Sequence, residues 1–146
     1  MAAPPISNPC GEPAGVRAGG VGAHGRLARV VRKIEGPSRI PVPGGKLIDE
    51  HVGRVNSGDE AISIAHMVAP PGWEEPAQTP EFTEYTLVLR GTVLVEHEGE
   101  TIEVSAGQTV VTEPGEKIRY RTGDEGAEYV AVCLPAFSPE TANRDE

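Results

Sequence analysis

The chain is poor in the residues that most readily build or staple a small fold. Six of its 146 residues are aromatic, and all six fall between Trp73 and Phe137, so the large core-forming side chains belong to its second half. It has two cysteines, Cys10 in a Pro/Gly-rich lead-in and Cys133 in an apolar run. So placed, they favour neither a disulfide nor the paired spacing of a zinc site. No window approaches 18 consecutive apolar residues, and no basic start leads into a hydrophobic segment, so neither a spanning helix nor a signal peptide is expected. The expected compartment is the cytoplasm. Basic residues are scarce as well: 13 Lys+Arg stand against 22 Asp+Glu, a net charge of -9. That balance repels phosphate backbones and anionic membranes alike, so neither nucleic acid nor a membrane is an expected partner.

What the chain has in quantity is turn chemistry, with 18 Gly and 14 Pro. Residues 1–25 hold six Gly, four Pro and five Ala, and are expected to form a flexible tail. Residues 26–137 make one domain by size, and the polar end "SPETANRDE", residues 138–146, is expected to fray. Within the domain, apolar or β-branched runs recur at 61–68, 85–89, 92–97, 101–104, 109–112, 117–121 and 128–134, with Gly, Pro or Asp between them. No stretch sustains a helical stripe. Short strands at this spacing predict an all-β sandwich or barrel. The segment "VLVEHEGETIEV" alternates on both sides of Glu98-Gly99, which predicts a hairpin with a tight turn there.

Two other patterns are read as structural. Gly20-Val-Gly22-Ala-His-Gly25 fits the phosphate-cradling G-x-G-x-x-G, but that device needs a strand before it and a helix within it, and here it lies in the tail. The run "RLARVVRKI" is one helical turn or an edge strand, its β-branched Val30, Val31 and Ile34 favouring the strand, and Arg26, Arg29, Arg32 and Lys33 suit the solvated side of one.

Alternation along the strands proposes faces. Glu84, Thr86, Val88 and Arg90 should share one side of their strand, with Tyr85, Leu87 and Leu89 on the other. Ile118 and Tyr120 share a face, and His66 falls on the more apolar row, with Ile62, Ile64 and Val68. Trp73, Phe82 and Phe137 sit in or beside loops, where they close the barrel mouth, sit in the subunit contact or plug the ends of the core.

The spacing of Gly72, Glu84 and Gly91 resembles the first cupin motif, and "AGQTVVTEPGEKIRYRT", with Gly107 and Gly115, resembles the second. The likeness covers about residues 60–135 and, with "HEGETIEVSAGQ", is similar to the small bacterial cupins of the ethanolamine-utilisation type. It implies a double-stranded β-helix, or jelly roll, enclosing a small-molecule cavity, and a homodimer formed through the sheet opposite that cavity. Carried over position by position, the resemblance places Gln78, Pro80, Glu84 and Ile118 where the family's metal ligands would be. Proline and isoleucine offer no donor atom, and a stable transition-metal site needs about three N, O or S ligands, so no metal and no other cofactor is expected.

A carboxylate enclosed without a cation has its charged form disfavoured by desolvation, unless hydrogen bonds hold the charge. Such a group suits proton transfer near neutral pH. The expected function is metal-independent isomerase, lyase or cyclase chemistry on a small-molecule ligand, with Glu84 as acid or base and Tyr120 and His66 as partners. Gln78, Thr86, Val88, Ile118 and Trp73 would line the substrate site, and Arg90 would meet an anionic group. Two alternatives stand beside it: a non-catalytic cupin that binds a metabolite or a partner protein, and a metal-dependent enzyme with a non-standard site. The structural alternative for Glu84 itself is that it ties a loop to the barrel.

Overall fold

The computed structural model describes residues 31–146, of which Lys33–Glu146 form one compact unit. The glycine-rich tail, its G-x-G-x-x-G and most of the "RLARVVRKI" segment lie outside the described residues. Seven strands build a jelly-roll β-barrel: β1 (Ser38–Ile40), β2 (Leu47–Val52), β3 (Ser63–Ala69), β4 (Thr83–His97), β5 (Glu100–Ser105), β6 (Thr109–Thr112) and β7 (Ile118–Leu134). They pair in the order β1-β2-β3-β7-β4-β5, with β6 added to β4, and every pairing is antiparallel.

The hairpin expected at Glu98-Gly99 is present: His97 pairs with Glu100, and both turn residues take positive φ, 50° and 78°, as a two-residue connection with the strands' own twist requires. Four of the runs seen in the sequence turn out to be two long strands. Residues 85–89 and 92–97 join in β4, and 117–121 and 128–134 join in β7. The two strands pair over most of their length, with register shifts between Val88 and Arg90 and again between Gly91 and Val93. At that bend Gly91 has φ 73°, and a Cβ there would collide with the carbonyl oxygen of Gly126. Only glycine permits this approach.

One half of the barrel is filled. Val88, Val93, Val95, Val104, Ile118, Tyr120, Ala127 and Tyr129 form a contiguous buried cluster, with Trp73 and Met67 packed on its edge. The end of the chain is also ordered. Ser138 caps a single helical turn, α1 (Pro139–Ala142), accepting from the Thr141 amide at 3.2 Å, and Ala142 is fully buried beside Phe82 and Cys133. Asp145 N then donates to Ala77 O at 2.8 Å. The segment expected to fray is instead docked, because Phe137 and Ala142 supply apolar anchors and Ser138 supplies the cap.

Candidate functional site

The other half of the barrel is hollow. Strands β2, β3, β4 and β7, with Lys46 just ahead of β2, each turn one row of side chains into a cavity of about 400 Å³: Ile48 and Glu50; Ser63, Ala65 and Met67; Glu84 and Thr86; Tyr129, Ala131 and Cys133. The Glu75–Gln78 loop closes one side, and Phe137 and Arg144 from the docked C-terminal segment close another.

Glu84 is 8% exposed and lines this space. The Cys133 thiol donates to its Oε2 at 3.2 Å, and among the described residues no backbone amide holds it. The loop-tying role considered for it belongs to another acid. Glu50, on the same cavity wall, accepts from the amides of Val55 and Asn56 at 3.0 and 2.8 Å, and so fixes the loop after β2. Tyr120 also faces the cavity, with its hydroxyl 3.1 Å from Thr112 Oγ1. Burial, and then the charge of Glu84, push the Tyr120 phenol well above its ordinary range. Burial, and then Glu84, likewise push the Cys133 thiol up, so the cavity holds it as a neutral donor.

Gln78 is 3% exposed, pairs through its backbone with Ile118, and receives Arg144 Nε on its side-chain oxygen at 3.4 Å. Arg144 also reaches Glu75 at 3.8 Å. Burial raises the Glu75 carboxyl above its usual range, against the pull of Lys46 and Arg144. Thr86 lines the cavity as expected, whereas Val88 and Ile118 belong to the packed half. Trp73 lies behind the wall, where its ring supports Lys46.

Two expected participants lie elsewhere. His66 points away from the cavity: the inward row of β3 is Ser63, Ala65 and Met67, and the more apolar row faces out, where His66 Nε2 meets Glu128 Oε1 at 2.9 Å. The assumption that the more apolar row faces inward fails because the outer sheet face is itself apolar, with Tyr85, Leu87, Leu89 and Val111 exposed on it. Arg90 also reaches Glu128, at 3.6 Å, and does not line the cavity. The bulge between Val88 and Arg90 breaks the alternation that began at Glu84.

Sequence reasoning missed Lys46, Glu75, Cys133 and Arg144 as members of the site. For Lys46 the signal was available, since it alternates with Ile48 and Glu50. Arg144 had none beyond Phe137 and the Ser138 cap, because its position depends on the docking of the whole segment.

The positions that would hold a metal do not suit one. Pro80 and Ile118 have no donor atoms, and Gln78 is engaged by Arg144, which leaves Glu84 alone. Among the described residues the one cluster of His and acidic groups with metal-binding spacing is His97, Glu98 and Glu116, outside this cavity on the β4–β5 hairpin and the β6–β7 loop.

The Cupin domain family model matches residues 65–133. Over 107 residues the chain is 43% identical to a Myxococcus xanthus (strain DK1622) protein named Endoribonuclease YbeY; the match takes in 73% of this chain and 36% of that protein's length. A solved structure assigned as ethanolamine utilization protein Q from Salmonella typhimurium LT2 is 22% identical, covering 63% of this chain and 71% of that one, with TM-score 0.51. A variant of Streptomyces PAC13 with uridine is 14% identical, covering 81% and 92%, with TM-score 0.64. At these identities the two structural likenesses speak for the fold alone. No helix among the described residues is long and apolar enough to cross a membrane.

Proposed function

From the match of residues 65–133 to the Cupin domain family model, we propose that the chain is a cupin whose barrel cavity carries out metal-independent proton transfer on a small, partly apolar substrate bearing an anionic group. The reaction class is isomerisation, elimination or cyclisation. Glu84 is the acid or base, because it is a buried carboxylate facing enclosed space with a thiol, and no backbone amide, as its hydrogen-bond donor. That is the observation on which the reading rests. Tyr120, kept protonated by burial and by Glu84, serves as a neutral donor to the substrate. Arg144 takes the anion-binding part first given to Arg90, since it lines the cavity.

The test is Glu84→Gln, which keeps shape and hydrogen bonding while removing the ability to cycle a proton. With a ligand found by thermal-shift screening of small carboxylates, the variant should lose turnover by at least about a hundredfold and hold its affinity within a few-fold. Equal affinity with no turnover in the wild type would make the protein a binding module instead. The name of the Myxococcus protein does not carry over: the matched region is 36% of its length, and a net charge of -9 favours a small ligand over RNA. Dimerisation belongs to the same proposal. Tyr85, Leu87, Leu89 and Val111 are each exposed by more than 40% on the outer sheet face, where a second copy would cover them.

A further inference from the structure

Lys46 is unlike the other basic residues of the barrel. It is 8% exposed and lines the cavity, yet among the described residues its ammonium has neither a hydrogen bond nor a carboxylate within ion-pairing distance. Its surroundings are aromatic: Nζ lies 4.1 Å from the centre of the Trp73 ring and 5.5 Å from that of Tyr129. Cation–π contact returns part of the cost of burial. A lysine this buried without a carboxylate partner is costly, and its nitrogen opens onto the cavity rather than being sealed into the packing.

We propose that Lys46 is a reactive amine that condenses with a small carbonyl compound entering the cavity, 2-oxo acids being the preferred class because Arg144 lines the same cavity and can take their carboxylate. Neutral Nζ attacks the carbonyl carbon, and a C–N bond forms as the carbonyl oxygen takes up a proton. Loss of that oxygen as water leaves a C=N bond to Lys46, and hydrolysis reverses the sequence. No oxidant or reductant is consumed. Glu75 and Glu84, both lining the cavity, supply and recover the proton.

The electrostatics agree with this geometry. Burial lowers the Lys46 pKa from the ordinary 10.5, and Glu75 and Glu84 only partly oppose it. Each unit of lowering raises the neutral, nucleophilic fraction about tenfold. The inference shares the cavity with the proton-transfer proposal and does not require that Glu84 turn over a substrate.

The chain has three lysines, and exposed Lys33 and Lys117 are internal controls. The full-length protein would be incubated with pyruvate, and separately with acetaldehyde, in the presence of sodium cyanoborohydride at neutral pH, and mapped by peptide mass spectrometry. Lys46 should be alkylated at least about tenfold faster than Lys33 or Lys117, with pyruvate saturating at one adduct per chain. Lys46→Met should abolish that adduct while circular dichroism shows a folded barrel. Should that variant not fold, protection of wild-type Lys46 from acetic anhydride by pyruvate gives the same information. In Glu84→Gln the adduct should form more slowly but still form, so failure of the imine and failure of the acid–base reading are separate results. Even labelling of all three lysines, no labelling at Lys46 by either probe, or protection by pyruvate without any reducible adduct would overturn the proposal.

Discussion

The two halves of the barrel are built from the same two long strands and come out opposite. Where β4 runs from Val93 to Val95 against the first part of β7, valines, Ile118 and Tyr120 fill the interior and nothing polar is stranded. Where β4 begins, at Glu84 and Thr86, against Ala131 and Cys133, the inward residues are short or charged and the space stays open. The difference is one of volume. Small side chains at Ser63, Ala65, Thr86 and Ala131 leave room that the valines of the other half would fill, and into that room come Lys46, Glu75 and Glu84. Packing is thus concentrated in one half and buried titratable groups in the other, divided by the glycine bend at Gly91 and Gly126.

Substitutions can break this division in a graded way. Gly91→Ala places a side chain against Gly126 at a positive φ and should cost about 3 kcal/mol or more, read as a lowered denaturant midpoint or loss of soluble protein. Val95→Ala opens a void in the filled half and should cost about 2 kcal/mol by urea unfolding. Lys46→Met, in the hollow half, should act in the other direction and raise stability at pH 7 by about 1 kcal/mol. Its sign follows from linkage. Because burial lowers the folded-state pKa of Lys46, the charged lysine penalises folding fully below that pKa, and the penalty fades as pH rises towards 10.5. The gain from methionine should therefore shrink in melts taken at increasing alkaline pH; a pH-independent gain would mean simple repacking. Thr86→Val, also in the hollow half, should change stability by less than about 1 kcal/mol while weakening ligand retention in the thermal-shift assay. On the outer face, Leu87→Glu should leave the monomer's unfolding almost unchanged and shift sedimentation from dimer to monomer.

How far the sequence could be read follows the same boundary. Glycine spacing and the Glu98-Gly99 turn announced the barrel, and simple alternation placed Glu84 and Thr86 correctly inside it. Alternation then failed at Arg90, because a bulge adds a residue without leaving a mark that the sequence can be searched for. It misled at His66 because apolar was equated with inward, whereas this barrel also presents apolar side chains such as Leu87 and Val111 to the outside. Lys46 is legible by parity with Ile48 and Glu50, which line the same cavity. Arg144 lies 60 residues beyond Glu84, and only the folded chain brings it to the same wall.

The last turn of the chain has a consequence for how the protein is handled. Because Phe137 and Arg144 form part of the cavity lining, proteolytic clipping near Ser138 would strip a cation and a wall from the pocket while sparing all seven strands. A sample so trimmed would pass every check of secondary structure and still fail to hold its ligand, so intact mass at the carboxyl end is the quality control that any assay of this barrel needs first.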